Sequence, residues 1–259
     1  MTRSLTVASF NIRKAIGTDR RRRPDRVLDV LAEIDPDIVA LQEADKRVGT
    51  RGAAVPHALI DDHGAFEAVD FDVSHPKLLD RVPAHPLTQP LMERLDTRNL
   101  GWHGNAILVR KGTKVLDCAA LDLPTLEPRG AVMAELDIGG REVRVIGMHL
   151  DLSGLWRSRQ ARRILAHVEA RHRHMPTIIM GDTNEWREAT GCIEAFGTRF
   201  RPAPCGPSFH SRKPVAALDK ILVDHALHIE AAGVHRSPAA HKASDHLPVW
   251  ARVRFQRGK

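Results

Sequence analysis

Thr177-Ile178-Ile179-Met180-Gly181-Asp182-Thr183-Asn184-Glu185-Trp186 reads as a buried strand that ends on reactive side chains. Pro176 closes the His- and Arg-rich run before it, and Thr177 to Met180 forms a short apolar, partly β-branched run. Gly181 ends the strand and lets the backbone turn sharply. Asp182 and Asn184 then fall at the strand's carboxyl end, where α/β folds gather their chemistry. An acceptor-only carboxylate next but one to a carboxamide suits a site that takes a proton and donates to an anion. Asp and Asn are also common turn residues, so Gly-Asp-x-Asn by itself reads as a turn. The rest of the chain decides between the two.

Working outward, the same pattern of a strand ending on a polar residue recurs. Leu5 to Ile12 alternates as a strand and carries Asn11 at its end. Pro24 opens a helix with Val27, Leu28, Val30, Leu31 and Ile34 on one face, and Asp35-Pro36-Asp37 closes it. Ile38-Val39-Ala40-Leu41 is a second buried strand that delivers Gln42 and Glu43. Asn105 to Val109 is a third. Ala131 to Ile138 and Glu142 to Leu150 alternate on either side of Gly139-Gly140, which signals a hairpin, and the second strand ends in His149. Glu127-Pro128-Arg129-Gly130 precedes that hairpin. Arg157 to Arg173 reads as a helix with Ile164, Leu165 and Val168 inward and a solvated arginine face outward. Ala217 to Val223 is a strand with Asp219 near its start, and Ser244-Asp245-His246-Leu247-Pro248 leads into a last strand, Val249 to Phe255. Between Lys46 and Trp102 five prolines interrupt any period, and the reading is irregular chain with one short helix near Leu91 to Leu95. No repeat, linker or composition break divides residues 1–259, so one domain is expected.

The chain has 259 residues, 42% hydrophobic and 27% charged, a soluble globular composition long enough for one large core. Its formal net charge of +7 favours polyanions: nucleic acid, anionic lipid headgroups or phosphorylated small molecules. Three cysteines without metal-ligand spacing read as reduced thiols. No apolar run approaches membrane-span length, and Leu5 to Ile12 reads as a strand rather than as a signal peptide. A reduced, cytoplasmic enzyme is the expectation. Arg20 to Arg23 reads as a solvated basic loop, because the 4% aromatic content and the absence of Tyr leave few rings to interleave with it.

Collected in order, the strand-end residues are Asn11, Glu43, Arg129, His149, Asp182, Asn184, Asp219, Asp245 and His246. Glu43, Asp245, Asn11 and Asp182 offer the oxygen donors that a hard cation such as Mg²⁺ prefers. Asp219 suits the orientation of His246, and Arg129 and Asn184 supply anion donors. Alone, Asn11 reads as a strand-end cap, and Arg129 and Asn105 as turn or surface residues. No Cys/His cluster competes for zinc, and no Gly-rich phosphate loop is present.

In this order the motifs resemble the endonuclease/exonuclease/phosphatase superfamily, which includes DNase I, neutral sphingomyelinases and inositol-polyphosphate phosphatases. Ser9-Phe10-Asn11-Ile12, Leu41-Gln42-Glu43, Gly104-Asn105-Ala106-Ile107-Leu108, Arg129-Gly130, His149-Leu150, Gly181-Asp182-Thr183-Asn184, Leu218-Asp219-Lys220-Ile221 and Ser244-Asp245-His246-Leu247-Pro248 carry the resemblance from Asn11 to Pro248. It implies a DNase I-like, four-layer αββα sandwich. It implies that Glu43 ligates Mg²⁺ or Mn²⁺ with help from Asn11 and Asp245, and that Asp182 deprotonates the attacking water. Asn184 and His246 would hold the phosphoryl oxygens, with Asp219 fixing His246. Arg129, His149 and Asn105 would contact the substrate phosphate. The chain departs from repair-type members in carrying His149 where they carry Tyr. It departs from DNase I-like members in carrying His103 where they pair that His with Glu. The function implied is metal-dependent phosphodiester hydrolysis by a monomer, with DNA or RNA favoured as substrate. A lipid phosphodiesterase or a small-molecule phosphatase is the alternative.

Overall fold

The computed structural model describes residues 4–45, 52–71, 100–126, 129–187, 190–197 and 199–256. Twelve strands form two six-stranded mixed sheets. The first sheet is built from β1 (Leu5–Asn11), β2 (Ile38–Gln42), β3 (Phe66–Ala68), β4 (Ala106–Arg110), β11 (Leu227–Val234) and β12 (Val249–Phe255), in the order β11-β12-β1-β2-β4-β3. The second contains β5 (Lys114–Leu121), β6 (Gly130–Asp137), β7 (Glu142–His149), β8 (Thr177–Asp182), β9 (Phe200–Pro202) and β10 (Asp219–Asp224), in the order β5-β6-β7-β8-β10-β9.

Each sheet has one parallel junction, β1 with β2 and β7 with β8. A parallel pair needs a crossover, and each junction is bridged by one helix. The first is α1 (Asp25–Ile34), which starts behind Pro24 and stops where Asp35 turns left-handed at φ 51° and donates its N–H to Leu31 O. The second is α3 (Gly154–Glu169), whose Ala161, Ile164 and Val168 are buried. Among the described residues three shorter helices add to the outer layers: α2 (His57–His63), α4 (Cys192–Phe196) and α5 (Pro238–Ala243).

Strand alternation divides the apolar residues between faces. Val7, Ile38, Ala40 and Ile107 of the first sheet meet Val132, Val145, Ile178 and Met180 of the second in an inner core. Phe10, Val39, Leu41 and Leu108 point outward under α1 and α2, and Met133, Ile146, Ile179 and Leu222 lie under α3 and α4. Burying one such Val, Leu or Ile side chain stabilises the fold by about 1.5–3 kcal/mol. The sheets approach closely where β7 crosses β2: a Cβ at Gly147 would stand 3.2 Å from the Ala40 Cβ. The result is the expected four-layer αββα sandwich.

The register brings the polar strand ends to one edge. Asn11 pairs with Gln42, and His149 with Asp182, which in turn faces Asp219. Gly181 is required there, because at φ 153° a Cβ would stand 1.8 Å from Met148 O.

Several boundaries differ from the sequence reading. The Arg157–Arg173 helix starts at Gly154 and ends at Glu169, since a glycine at its first position masks the start. The irregular reading of 46–102 misses α2 and β3, and the short helix near Leu91 to Leu95 lies outside the described residues, as do Glu127 and Pro128. Among the described residues no helix is long and apolar enough to cross a membrane.

Candidate active site

Three side chains from separate segments of the chain reach the Asp182 carboxylate, which is buried at the end of β8. Asn11, from the other sheet, donates Nδ2–H to Asp182 Oδ2 at 3.0 Å. His149 Nε2 and His246 Nε2 stand 3.5 and 3.8 Å from the same oxygen. The backbone N–H of Asn184 donates to Oδ1 at 2.9 Å. Asn184 is held at φ 49° and its Nδ2 donates to Leu150 O at 2.9 Å. A carboxylate approached by two amide donors and two imidazoles is fixed in orientation, which a general base requires.

His246 is itself fixed from behind. Its Nδ1 meets Asp219 Oδ2 at 2.8 Å, and the Ser208 hydroxyl donates to that same oxygen at 2.5 Å. The Phe209 ring lies 4.8 Å from the imidazole, centroid to centroid. Burial opposes the imidazolium, but Asp219, then Asp182 and Asp245, outweigh it and raise the His246 pKa to about 10. The ring is therefore a cation at neutral pH, presenting an N–H beside Asp182. Asp219 Oδ1 is buried without a hydrogen-bond partner.

The carboxylates of Glu43 and Asp245 each stand against a cation. Lys14 Nζ stands 3.2 Å from Glu43 Oε2, and Arg13 Nε 3.3 Å from Asp245 Oδ2. Both cations come from one tight turn, in which Arg13, Lys14 and Ala15 have φ of 47°, 57° and 58°. Three consecutive left-handed residues other than glycine are costly, and such strain persists where surrounding contacts fix it. Here Lys14 N–H donates to Glu43 O, and Arg13 N–H to Asn11 Oδ1. Ser244 ties the Asp245 segment to β1 by donating its hydroxyl to Asn11 O at 2.7 Å.

Glu43, Asp245 and Asn11 offer the oxygen donors that a hard divalent cation takes, and each of the two carboxylates is met by a basic side chain. A second candidate set is Asp182, Asp219 and His246, whose ligand atoms lie within 4.8 Å of one another. Asp219 Oδ1, buried and unpartnered, and His246 Nε2 are both outside the Asp219–His246 contact.

Arg129 and His149 form one buried unit. The Arg129 guanidinium donates to His149 Nε2 and, at 3.0 Å, to Leu150 O. Asn105 is different: its Nδ2 is directed at Gly130 O, 3.0 Å away, while Oδ1 is buried and unpartnered. It braces the β4 start against β6, and its donor hydrogens face backbone rather than open space. His103 stands beside Gly130, the residue paired with His149, and packs edge-on against Trp102. Sequence reasoning missed Ser208, Phe209, Ser244, Arg13 and Lys14. A serine or a basic loop residue has no periodicity to mark it, although the adjacency of Arg13 and Lys14 to Asn11 was visible.

Burial pushes the Cys192 thiol up to about 11 and the Cys205 thiol up to about 12.

The chain belongs to the endonuclease/exonuclease/phosphatase family, whose model matches residues 8–246. Members of that superfamily are phosphoester hydrolases dependent on divalent metal. A family protein from Bacteroides thetaiotaomicron shares the fold with a TM-score of 0.74 at 17% identity, over 99% of this chain and 100% of that one. D. rerio TDP2 complexed with a single-strand DNA product aligns at TM-score 0.68 and 16% identity, over 97% and 99%. The Bacteroides thetaiotaomicron mannosyl-6-phosphatase Bt3783 aligns at 0.68 and 18%, over 97% and 100%. No curated protein matches the chain in sequence.

Proposed function

We propose that this protein is a divalent-metal-dependent phosphodiesterase that directs water onto phosphorus in line with the leaving oxygen. The observation that carries the reading is the convergence on Asp182 of Asn11, His149, Asn184 and an Asp219-held His246 cation. Asp182 takes the proton as the water oxygen bonds to phosphorus, and the ester oxygen leaves with its bonding pair. His246 donates its Nε2–H to a non-bridging oxygen as charge develops there, and Arg129 adds a second cation. Glu43, Asp245 and Asn11 would hold Mg²⁺ or Mn²⁺, which supplies charge neutralisation and polarisation of the phosphoryl group when bound. Four carboxylates at one edge repel a dianionic monoester more than a monoanionic diester, which favours diesters. The positive net charge suits a substrate on a polyanion or an anionic surface.

The test is hydrolysis of bis-p-nitrophenyl phosphate and p-nitrophenyl phosphate with Mg²⁺, Mn²⁺ or EDTA. The diester is the faster substrate and EDTA abolishes turnover. Asp182→Asn lowers kcat by about 10²–10⁴, the range of a lost general base. Undiminished activity in EDTA, or in the Asn variant, overturns the reading.

A further inference from the structure

Among the described residues six large hydrophobic side chains are exposed, and they are not scattered. Leu126, Leu152, Trp186 and Val215 stand on loops and Leu155 in the first turn of α3, each 58% to 75% exposed. The sixth, Val115, lies at the far end of β5, opposite Leu136.

Hydrogen bonds tie the segments that carry these residues to the catalytic edge. The backbone N–H of Leu126 donates to Asp151 Oδ2. Asp151 follows Leu150, whose carbonyl accepts from both Arg129 and Asn184. Arg157 donates to Leu152 O and to Glu185 Oε2, which joins the Leu152–Leu155 turn to Trp186. Val215 donates its N–H to Phe209 O, and the Phe209 ring packs on His246. The apolar side chains are thus held out to solvent by a polar scaffold continuous with the site.

Cations flank them. Arg159 and Arg187 are exposed beside Leu155 and Trp186, and Arg212 and Lys213 beside Val215. Arg212 also donates to Thr18 O, which brings the exposed Arg20–Arg23 run alongside that loop.

Large apolar side chains held out to solvent around a polar site mark a place of contact. Four of the five residues are aliphatic, and aliphatic side chains offer a nucleic acid no ring on which a base can stack. Leu and Trp beside Lys and Arg are instead the composition that settles into the headgroup–acyl boundary of anionic lipid.

We propose that the catalytic edge docks on an anionic lipid bilayer and that the diester it hydrolyses is presented by that bilayer. The substrate part of this inference rests on the phosphodiesterase reading above, while the docking part stands on the rim alone. On docking, the aliphatic tips and Trp186 enter the interface and the basic residues meet the headgroups. The strand ends carrying Asp182, His149 and His246 then face the phosphate layer.

Co-sedimentation of the full chain with phosphatidylcholine vesicles, with and without a third of phosphatidylglycerol, tests the docking. A single-stranded oligonucleotide and bis-p-nitrophenyl phosphate turnover run in parallel. Binding is expected to be about tenfold tighter or more with phosphatidylglycerol, given several basic residues near the surface. The Leu155→Glu/Trp186→Glu variant is expected to lose about tenfold or more of that binding, because it places two charges in the interface. Val115→Glu, carrying its charge at the opposite end of the sheet, should bind as the wild type does. Circular dichroism of each variant confirms folding, and Leu152→Ser replaces the double variant if that one unfolds. No phosphatidylglycerol-dependent binding, or a double variant that loses oligonucleotide binding while vesicle binding is untouched, overturns the proposal. Vesicle binding with the expected variant pattern but no hydrolysis of the soluble diester supports the docking face and removes the reaction assigned above.

Discussion

Asp219 Oδ2 takes hydrogen bonds from Ser208 and His246, which supports the proposal that the residue orients its histidine, while Oδ1 is buried and unpartnered. Asp219→Asn is expected to lower kcat by about 10²–10⁴ through loss of the oriented cation. Mg²⁺ affinity, read by titration calorimetry, should stay near the wild-type value, and a fall as large as that of Glu43→Gln would reassign Asp219 to the metal. The pH dependence of stability gives an independent reading. The folded pKa of His246, about 10, lies above its unfolded value of about 6.5. Its contribution is therefore present in full below the unfolded value and is lost as pH rises through about 10. In EDTA the wild-type melting temperature should fall between neutral pH and that value, and Asp219→Asn should lose most of this slope. At this scale the candidate groups that sit at strand ends were legible in the sequence, because a strand followed by a polar residue is a local pattern. Ser208 was not, because its contact with Asp219 comes from a loop eleven residues away. Asn105 is expected at the phosphate, and the contact of its Nδ2 with Gly130 O, twenty-five residues away, carries no local signal.

The crossover helix α3 couples the rim to the core. Ile164 and Val168 seat it on the second sheet, Gln160 accepts from the Asp151 N–H, and Arg157 holds Glu185. Ile164→Ala is expected to cost about 2–5 kcal/mol of unfolding free energy, read from the urea midpoint at unchanged slope. A loss below about 1 kcal/mol would mean that the helix is not seated as described. Elements of this kind, with a clear apolar face or strict alternation, were legible: α1, β1, β2, β4, the β6–β7 hairpin, β8, β10 and β12. Those missed share a physical reason. β5 and β11 are edge strands, mostly solvated, and each carries a register shift that breaks its period. β3 and β9 span three residues each, and α4 and α5 little more than a turn, too short for any period to show.

In the whole molecule the candidate site belongs to neither sheet. Asn11 comes from one and Asp182 from the other, and their 3.0 Å hydrogen bond exists only while the layers hold their spacing. The two-sheet architecture followed from motif order rather than from any local signal, since inner and outer apolar faces look alike in a sequence. What the sequence could not show is how far apart the layers stand. That distance is governed in part by Gly147, where the missing side chain leaves room for Ala40 at 3.2 Å from a would-be Cβ. Gly147 thus works as a feeler gauge of zero thickness between two plates, and a single methyl group thickens it. Gly147→Ala should wedge the plates by a few tenths of an ångström, too little to cost the core its stability but enough to stretch the reach from Asn11 to Asp182. The expected signature is a kcat lowered about tenfold or more, as small misplacements in catalytic geometry cost, with the melting temperature within a few degrees of wild type. Activity that falls only in step with stability would show instead that the layers have slack, and that the catalytic geometry is set at the edge alone.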